Sequence, residues 1–223
     1  MLPERIPSGI PGFDKLIEGG FDRGSVNLLS GKIGTGKSIF SSQFLYAGAT
    51  QYTEKGLFIT TDEGKEHLYK QLDRFGWDFP ALEKSGMIKV MEFDPFDVPD
   101  LAKKIGNILD YSAANRIIVD SLSMYELSLK DSFRIRKSLF GLLKKIRMKG
   151  KTTILTAEIP EDQKTLSRSG VIEFLADSVI ILNYTGMTKH QRTLIIRKMR
   201  TTKHSAEIHP FKITAKGIVI GSV

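Results

Sequence analysis

One stretch of this chain has the residue types and spacing to hold a phosphate: Val26-Asn27-Leu28-Leu29-Ser30-Gly31-Lys32-Ile33-Gly34-Thr35-Gly36-Lys37-Ser38. A short apolar run meets a glycine-rich turn that fits G-x-x-x-x-G-K-[ST], the P-loop, with Gly31, Gly36, Lys37 and Ser38 at the defined places. Glycines let successive backbone N–H groups turn inward around an anion, because no Cβ blocks the turn. The intervening Lys32, Ile33, Gly34 and Thr35 belong to the same cradle. Lys37 brings a point charge to β- and γ-phosphates, and the Ser38 hydroxyl can ligate Mg²⁺. A chance match to this pattern somewhere in a chain of this length is on the order of one per cent. The expected ligands are therefore a nucleoside triphosphate and Mg²⁺; the family resemblance below makes the nucleotide ATP.

Two further acidic positions end apolar runs. Asp120 closes Arg116-Ile117-Ile118-Val119 about eighty residues after the P-loop, where a Walker B carboxylate would hold Mg²⁺ opposite Ser38. Asp62-Glu63 closes Gly56 to Thr61. In an open parallel sheet the carboxyl ends of the strands face the ligand crevice. A carboxylate there can orient a water against a γ-phosphate.

The elements that must position these groups follow from the pattern. Arg5 to Gly24 is dense in Gly and Pro and reads as a turn, a short helix around Phe13 to Ile17, and an approach to the first strand. After the P-loop, Ile39 to Tyr52 is helical, Gly56 to Thr61 a strand, Lys65 to Phe75 a helix and Ile88 to Phe93 a strand. Asp100, after Pro95 and Pro99, can cap a helix running to Tyr111. Ser132 to Met148 is an amphipathic helix, expected to bury Leu139, Phe140, Leu142, Leu143 and Ile146 opposite Arg134, Lys137, Lys144 and Lys145. Thr152 to Thr156 is the next strand, closed by Ala157-Glu158, and a polar loop from Pro160 to Gly170 follows. Ser178 to Asn183, Arg192 to Met199, Phe211 to Thr214 and Gly217 to Ile220 are strands without helices between them, expected as antiparallel additions at one edge. The fold class is α/β: a doubly wound, mostly parallel sheet with an antiparallel C-terminal extension, one domain over 1–223 with 1–24 leading into its core.

Composition narrows the classes. Cysteine is absent, which excludes disulfides and thiolate metal sites and suits a cytoplasmic location. The first residues lack the apolar core of a secretory signal, and no apolar run approaches the ~20 residues that span a bilayer, so membrane insertion is not expected. The net charge of +8 is uneven: residues 1–111 carry 13 basic and 16 acidic side chains, and residues 112–223 carry 20 and 9. The basic excess fits either an anionic partner or solvated surface lysine.

The chain resembles the KaiC-like branch of the RecA superfamily of ATPases, close to its stand-alone single-domain members. The resemblance runs through Ile6-Pro7-Ser8-Gly9-Ile10-Pro11-Gly12-Phe13-Asp14-Lys15-Leu16, Gly19-Gly20-Phe21, the P-loop, Phe75-Gly76-Trp77-Asp78, Val119-Asp120-Ser121-Leu122-Ser123, Thr156-Ala157-Glu158, Lys198 to His204 and Ile208-His209-Pro210-Phe211. It implies an RecA-like fold, ATP hydrolysis, and a homo-oligomeric ring, usually a hexamer, with ATP at subunit interfaces. It implies that Lys198 and Arg200 reach the γ-phosphate on a neighbouring subunit, and it adds His204 and Ile213 to the nucleotide-binding set. Asp62 and Glu63 occupy the place of a usual Glu pair whose first member orients the water, so the shorter Asp62 implies slow turnover. Glu173 and Phe174 stand where the clock proteins carry a phosphorylated Ser-Thr pair, which argues against a circadian-type autokinase. Thr201 replaces the usual Gly of the last motif.

The leading expectation is a slow, ring-forming ATPase that acts as a nucleotide-dependent switch on a partner protein. The alternatives are a DNA-stimulated ATPase of recombinase type, with Lys130, Lys164 and Arg168 on the loops facing nucleic acid, and a nucleotide-binding scaffold that scarcely hydrolyses. The candidate DNA loops are basic but short, and they lack aromatics for base stacking.

Overall fold

A computed structural model describes residues 4–94, 101–129, 131–160, 165–184 and 192–221. Its frame is a nine-stranded sheet. In chain order the strands are β3 (Val26–Gly31), β4 (Gly56–Thr60), β5 (Ile88–Glu92), β6 (Arg116–Asp120), β7 (Thr152–Glu158), β8 (Ser178–Tyr184), β9 (Arg192–Met199), β10 (Ile208–Thr214) and β11 (Gly217–Ile220), and the spatial order is β11-β10-β9-β8-β3-β7-β6-β4-β5. A separate two-stranded pair, β1 (Arg5–Ile6) with β2 (Phe21–Asp22), precedes it. The expected and observed limits of β6, β9 and β11 coincide, because each of these runs is bounded by a charged residue or glycine.

Helices cover both faces, as a mostly parallel sheet requires. One face carries α1 (Lys37–Gln51), α2 (Lys65–Asp73) and α3 (Phe79–Lys84). Phe13, Phe21, Phe40 and Phe44 pack edge to face or tilted there, and Trp77 and Phe79 complete that core. The other face carries α4 (Leu101–Tyr111), α5 (Leu122–Leu129), α6 (Ser132–Met148) and α7 (Ile172–Leu175), with Ile105, Leu109, Leu139, Leu143 and Ile146 buried against Val26, Leu28, Val119 and Leu155.

Two expectations change. β8 is not an antiparallel addition: it pairs in parallel with β3, from Asn27↔Ser178 to Gly31↔Leu182, and only β9, β10 and β11 run antiparallel. The reason is the crossover through residues 159–177, which returns the chain to the start of the sheet and includes the one-turn α7, too short to show a helical period. The second change is Phe140, which is 57% exposed on the outer side of α6 and is no part of the core. The expected cap Asp100 lies outside the described residues. The short helix near Phe13 is a 3₁₀ turn over Asp14–Leu16.

The extension is held to the core by a side chain. Gln43 of α1 accepts from the Ile218 N–H at 2.6 Å and donates to the Ile218 carbonyl at 3.1 Å, satisfying β11 as a strand partner would. Gly217 is required beside it, since a Cβ there would lie 2.5 Å from the Gln43 amide oxygen.

Candidate functional site

The carboxyl ends of the parallel strands converge on the P-loop. Gly31 ends β3 between Glu158 of β7 and Leu182 of β8, and Thr60 ends β4 beside Asp120 of β6. A Cβ on Gly31 would sit 2.5 Å from the Leu182 carbonyl oxygen, so the sheet closes around this position only if it is glycine. Gly34 and Gly36 have φ of +74° and +103°, the left-handed values that turn the loop back into α1. Thr35 is buried and donates to the Lys32 carbonyl at 2.9 Å, while Ile33 stands 80% exposed at the loop tip.

Lys37, the first residue of α1, folds back over the cradle. Its ammonium donates to the Gly31 and Lys32 carbonyls at 2.8 and 2.9 Å. Burial lowers its pKa, and the carboxylates of Asp120, Glu158 and Asp62 oppose that shift. Asp120 is fully buried. Burial raises its pKa against hydrogen bonds from the Ser38 and Thr156 hydroxyls. A buried carboxylate sharing a hydroxyl with the P-loop serine is an all-oxygen donor pair suited to Mg²⁺. Among the described residues no cluster of three or more His, Cys, Asp or Glu could cage a metal, so the ion's remaining positions would fall to water and phosphate.

Asp62 and Glu63 part company. Asp62 is exposed and faces the site: its Oδ2 accepts from the Ser121 hydroxyl at 2.7 Å and its Oδ1 from Thr61 Oγ1 at 3.2 Å. Thr61 Oγ1 also donates to the Ser121 carbonyl at 2.6 Å, which locks the end of β4 to the end of β6. Glu63 turns towards α2 instead, accepting from Gln71 at 2.7 Å; burial and then the Asp120 charge raise its pKa.

The structure brings Gly31 to Ser38, Asp62 and Asp120 together, and it does not bring Lys198 and Arg200 to them. Lys198 lies opposite Val179, near the start of β8, whereas the P-loop glycine lies opposite Leu182. Three residues of strand separate these levels, roughly 10 Å. Lys198 also points to the other face of the sheet. Its ammonium donates to the carbonyls of Glu173, Phe174 and Ala176 at 3.1, 3.4 and 2.6 Å, at the C-terminal end of α7. Arg200 lies 3.7 Å from Asp177 and reaches the Phe174 carbonyl at 3.5 Å. Burial and the Arg200 charge lower the Lys198 pKa. His204 Nδ1 is 3.0 Å from the Ser205 carbonyl oxygen. Ile213 does meet the loop, with its Cδ1 3.2 Å from where a Cβ on Gly36 would stand.

Sequence reasoning passed over Thr156, Ser121 and Glu158 as members of this site. The signal for Glu158 was the one used for Asp120, a carboxylate closing an apolar strand. Its N–H donates to Ser123 Oγ at 2.8 Å, and its carboxylate pairs with Arg168 at 2.7 Å. Lys130 and Lys164 lie outside the described residues.

The family model described as "ATPase: KaiC" matches residues 6–223. The chain belongs to the KaiC family of ATPases. It is 38% identical over 97% of its length to the circadian clock protein KaiC3 of Synechocystis sp., and 35% identical over 95% to the circadian clock oscillator protein KaiC of Synechococcus elongatus. It spans 45% and 43% of those two proteins, about half the length of each. A solved structure of a KaiC-like protein from the hyperthermophilic archaeon Pyrococcus horikoshii OT3 superposes with a TM-score of 0.87 at 40% identity, covering 99% of this chain and all of that one. No helix among the described residues is long and apolar enough to cross a membrane.

Thr201 has φ of +59°, a left-handed value costly for a β-branched residue, and its hydroxyl is bonded to the Asp22 carboxylate.

Proposed function

We propose that this chain binds Mg²⁺–ATP at Gly31–Ser38, hydrolyses it slowly, and does so as a homo-oligomeric ring whose nucleotide state switches a partner protein. The observation that carries the reading is the joining of Lys37, Ser38, Asp120 and Asp62 at the ends of the neighbouring parallel strands β4 and β6 and the P-loop. The backbone N–H groups of the loop and the α1 N-terminus face the phosphates. Lys37 then exchanges two carbonyl partners for phosphate oxygens. Ser38 and Asp120 would hold Mg²⁺, which offsets charge on the β- and γ-phosphates. Asp62 orients the attacking water, and its tether to Ser121 and Thr61 limits how far this short side chain advances. That tether supports slow turnover, and it equally supports a scaffold that scarcely hydrolyses.

The separation of Lys198 and Arg200 from their own P-loop supports a role in trans. A cation level with the middle of β3 and on the sheet face opposite α1 cannot serve the nucleotide beside it, but a head-to-tail neighbour can present it. The DNA-stimulated alternative loses weight at Arg168, whose guanidinium is engaged by Glu158.

One experiment separates these readings: ATP turnover per subunit against protein concentration, with and without single-stranded DNA, alongside mass by light scattering. Slow turnover that falls on dilution together with the mass, unaffected by DNA, is expected. Turnover independent of concentration contradicts the ring, a large stimulation by DNA favours the recombinase-type reading, and ATP binding without measurable turnover favours the scaffold.

A further inference from the structure

The basic excess of the second half has a definite address. α6 carries Arg134, Arg136, Lys137, Lys144, Lys145 and Arg147 and no carboxylate. Two of these are engaged, Lys145 with Asp110 at 2.6 Å and Arg147 with both oxygens of Asp177 at 3.0 and 3.1 Å. Among the described residues no carboxylate pairs with Arg134, Arg136, Lys137 or Lys144. The acidic groups nearest by are already committed: Asp110 to Lys145 and Lys149, and Asp131 to the N–H groups of Phe133 and Arg134 as the α6 N-cap.

These cations border a groove between α4 and α6 with a cavity of about 500 Å³. It exists because the facing helices carry glycine there. No atom lies within 4 Å of a Cβ built on Gly141, and one on Gly106 would meet only the Lys145 stem. Leu129 and Leu142 give it an apolar floor, and Arg134, Lys137 and Lys145 line its rim. α6 also exposes Phe133 and Phe140, at 72% and 57%, outside the groove lining. Seven residues apart, these rings stand on one side of the helix, about 10.5 Å from each other along its axis.

We infer that the α4–α6 groove docks an acidic amphipathic helix of a partner protein. Its bulky apolar side chains fill the space over Gly106 and Gly141 and pack on Leu129 and Leu142. Its Asp and Glu residues meet Arg134, Lys137 and Lys144. Charge complementarity selects this occupant: an apolar floor needs an apolar anchor, and the rim cations Arg134 and Lys137, which no carboxylate among the described residues pairs, need carboxylates around them. The groove lies on the sheet face away from α1, so the inference stands whether or not the nucleotide reading does.

The test selects a displayed library of random peptides, long enough for several helical turns, on the full chain at about 0.1 M salt. Enriched sequences should carry bulky apolar residues at helical spacing among Asp and Glu. The best synthetic peptide should lose about tenfold in affinity on Lys137→Glu. It should lose as much on Gly141→Leu, which fills the groove without changing charge and improves helix propensity. Cooperative thermal unfolding is expected of both variants, which verifies that they fold. The inference is overturned by no enrichment, by basic or unpatterned winners, or by binding indifferent to Gly141→Leu. It is also overturned if single-stranded DNA or anionic lipid vesicles bind the groove and lose affinity on the same two substitutions. A fall in the chain's own mass by light scattering on Gly141→Leu would assign the groove to a second copy and overturn it as well.

Discussion

Lys37 and Lys198 are both lysines whose ammonium groups rest on backbone carbonyls of their own chain, and both have lowered pKa values through burial. Their surroundings differ in sign. Lys37 stands among Asp120, Glu158 and Asp62, in a site the chain furnishes by itself. The strongest neighbouring charge on Lys198 is another cation, Arg200, with Asp177 opposing. One region is an anion site with its counter-charges in place. The other is a pair of cations gathered where their own chain offers mainly the C-terminal carbonyls of a one-turn helix. Such a pair is what a subunit would hold out to a neighbour's phosphates.

The largest expected effect breaks the first region. Lys37→Ala should weaken ATP binding at least a hundredfold, because the phosphates lose the ammonium that folds back over the cradle; charge-assisted contacts of this kind contribute about 1.5–3 kcal/mol each. Titration with a fluorescent ATP analogue measures it, and wild-type affinity would remove the phosphate-loop reading.

A smaller effect should follow at Asp62. Asp62→Asn is expected to lower turnover by about 10²-fold while ATP binding persists, the usual scale for a group acting on a proton in the transition state. Asp62→Glu should raise turnover, since the added methylene lets the carboxylate advance. Steady-state hydrolysis at saturating ATP checks both. An enzyme slowed by Asp62→Glu would mean that the Ser121–Thr61 tether is fitted to aspartate, and full activity in Asp62→Asn would take the role away from this residue.

How far the molecule was legible in its sequence depended on which physical signal each part left. The P-loop, Asp120 and the strands around them were readable because apolar runs ending in glycine or carboxylate leave a local mark. α3 was not recognised, although Asp78 caps it and Pro80 follows in its first turn, because six residues show no full helical period. α5 is apolar on most sides and has no amphipathic face to detect. The direction of β8 depends on where the chain goes between residues 158 and 178, which is a property of the crossover and not of the strand. Phe140 failed for another reason: its place in the sequence suits either side of the α6 stripe, and tertiary packing put Leu139 and Leu143 inside. The carboxylate partners Ser121 and Thr156 are small hydroxyl residues with no mark of their own; they become visible only when two strand ends are set side by side.

The smallest effect expected is at Thr201. Thr201→Gly removes a left-handed β-branched residue, a gain of about 1–2 kcal/mol, and at the same time loses the hydroxyl bond to Asp22 and increases unfolded-chain entropy, terms of similar size. Thermal unfolding should therefore shift by only a few degrees in either direction. A loss large enough to melt the extension would show that the Asp22 contact holds the Arg200 turn in place.

The comparison between the two lysine regions is tested most directly by mixing. Arg200→Ala and Lys37→Ala should each be inactive alone, the first for want of a cation given to its neighbour and the second for want of bound nucleotide. Mixed under conditions where subunit exchange is demonstrated, they should regain part of the wild-type ATP turnover, because some interfaces then pair an intact P-loop with an intact Arg200. Recovered activity that peaks at an intermediate mixing ratio is the predicted result. Activity at the level of the separate variants at every ratio, with exchange confirmed, would contradict action of Arg200 across a subunit boundary.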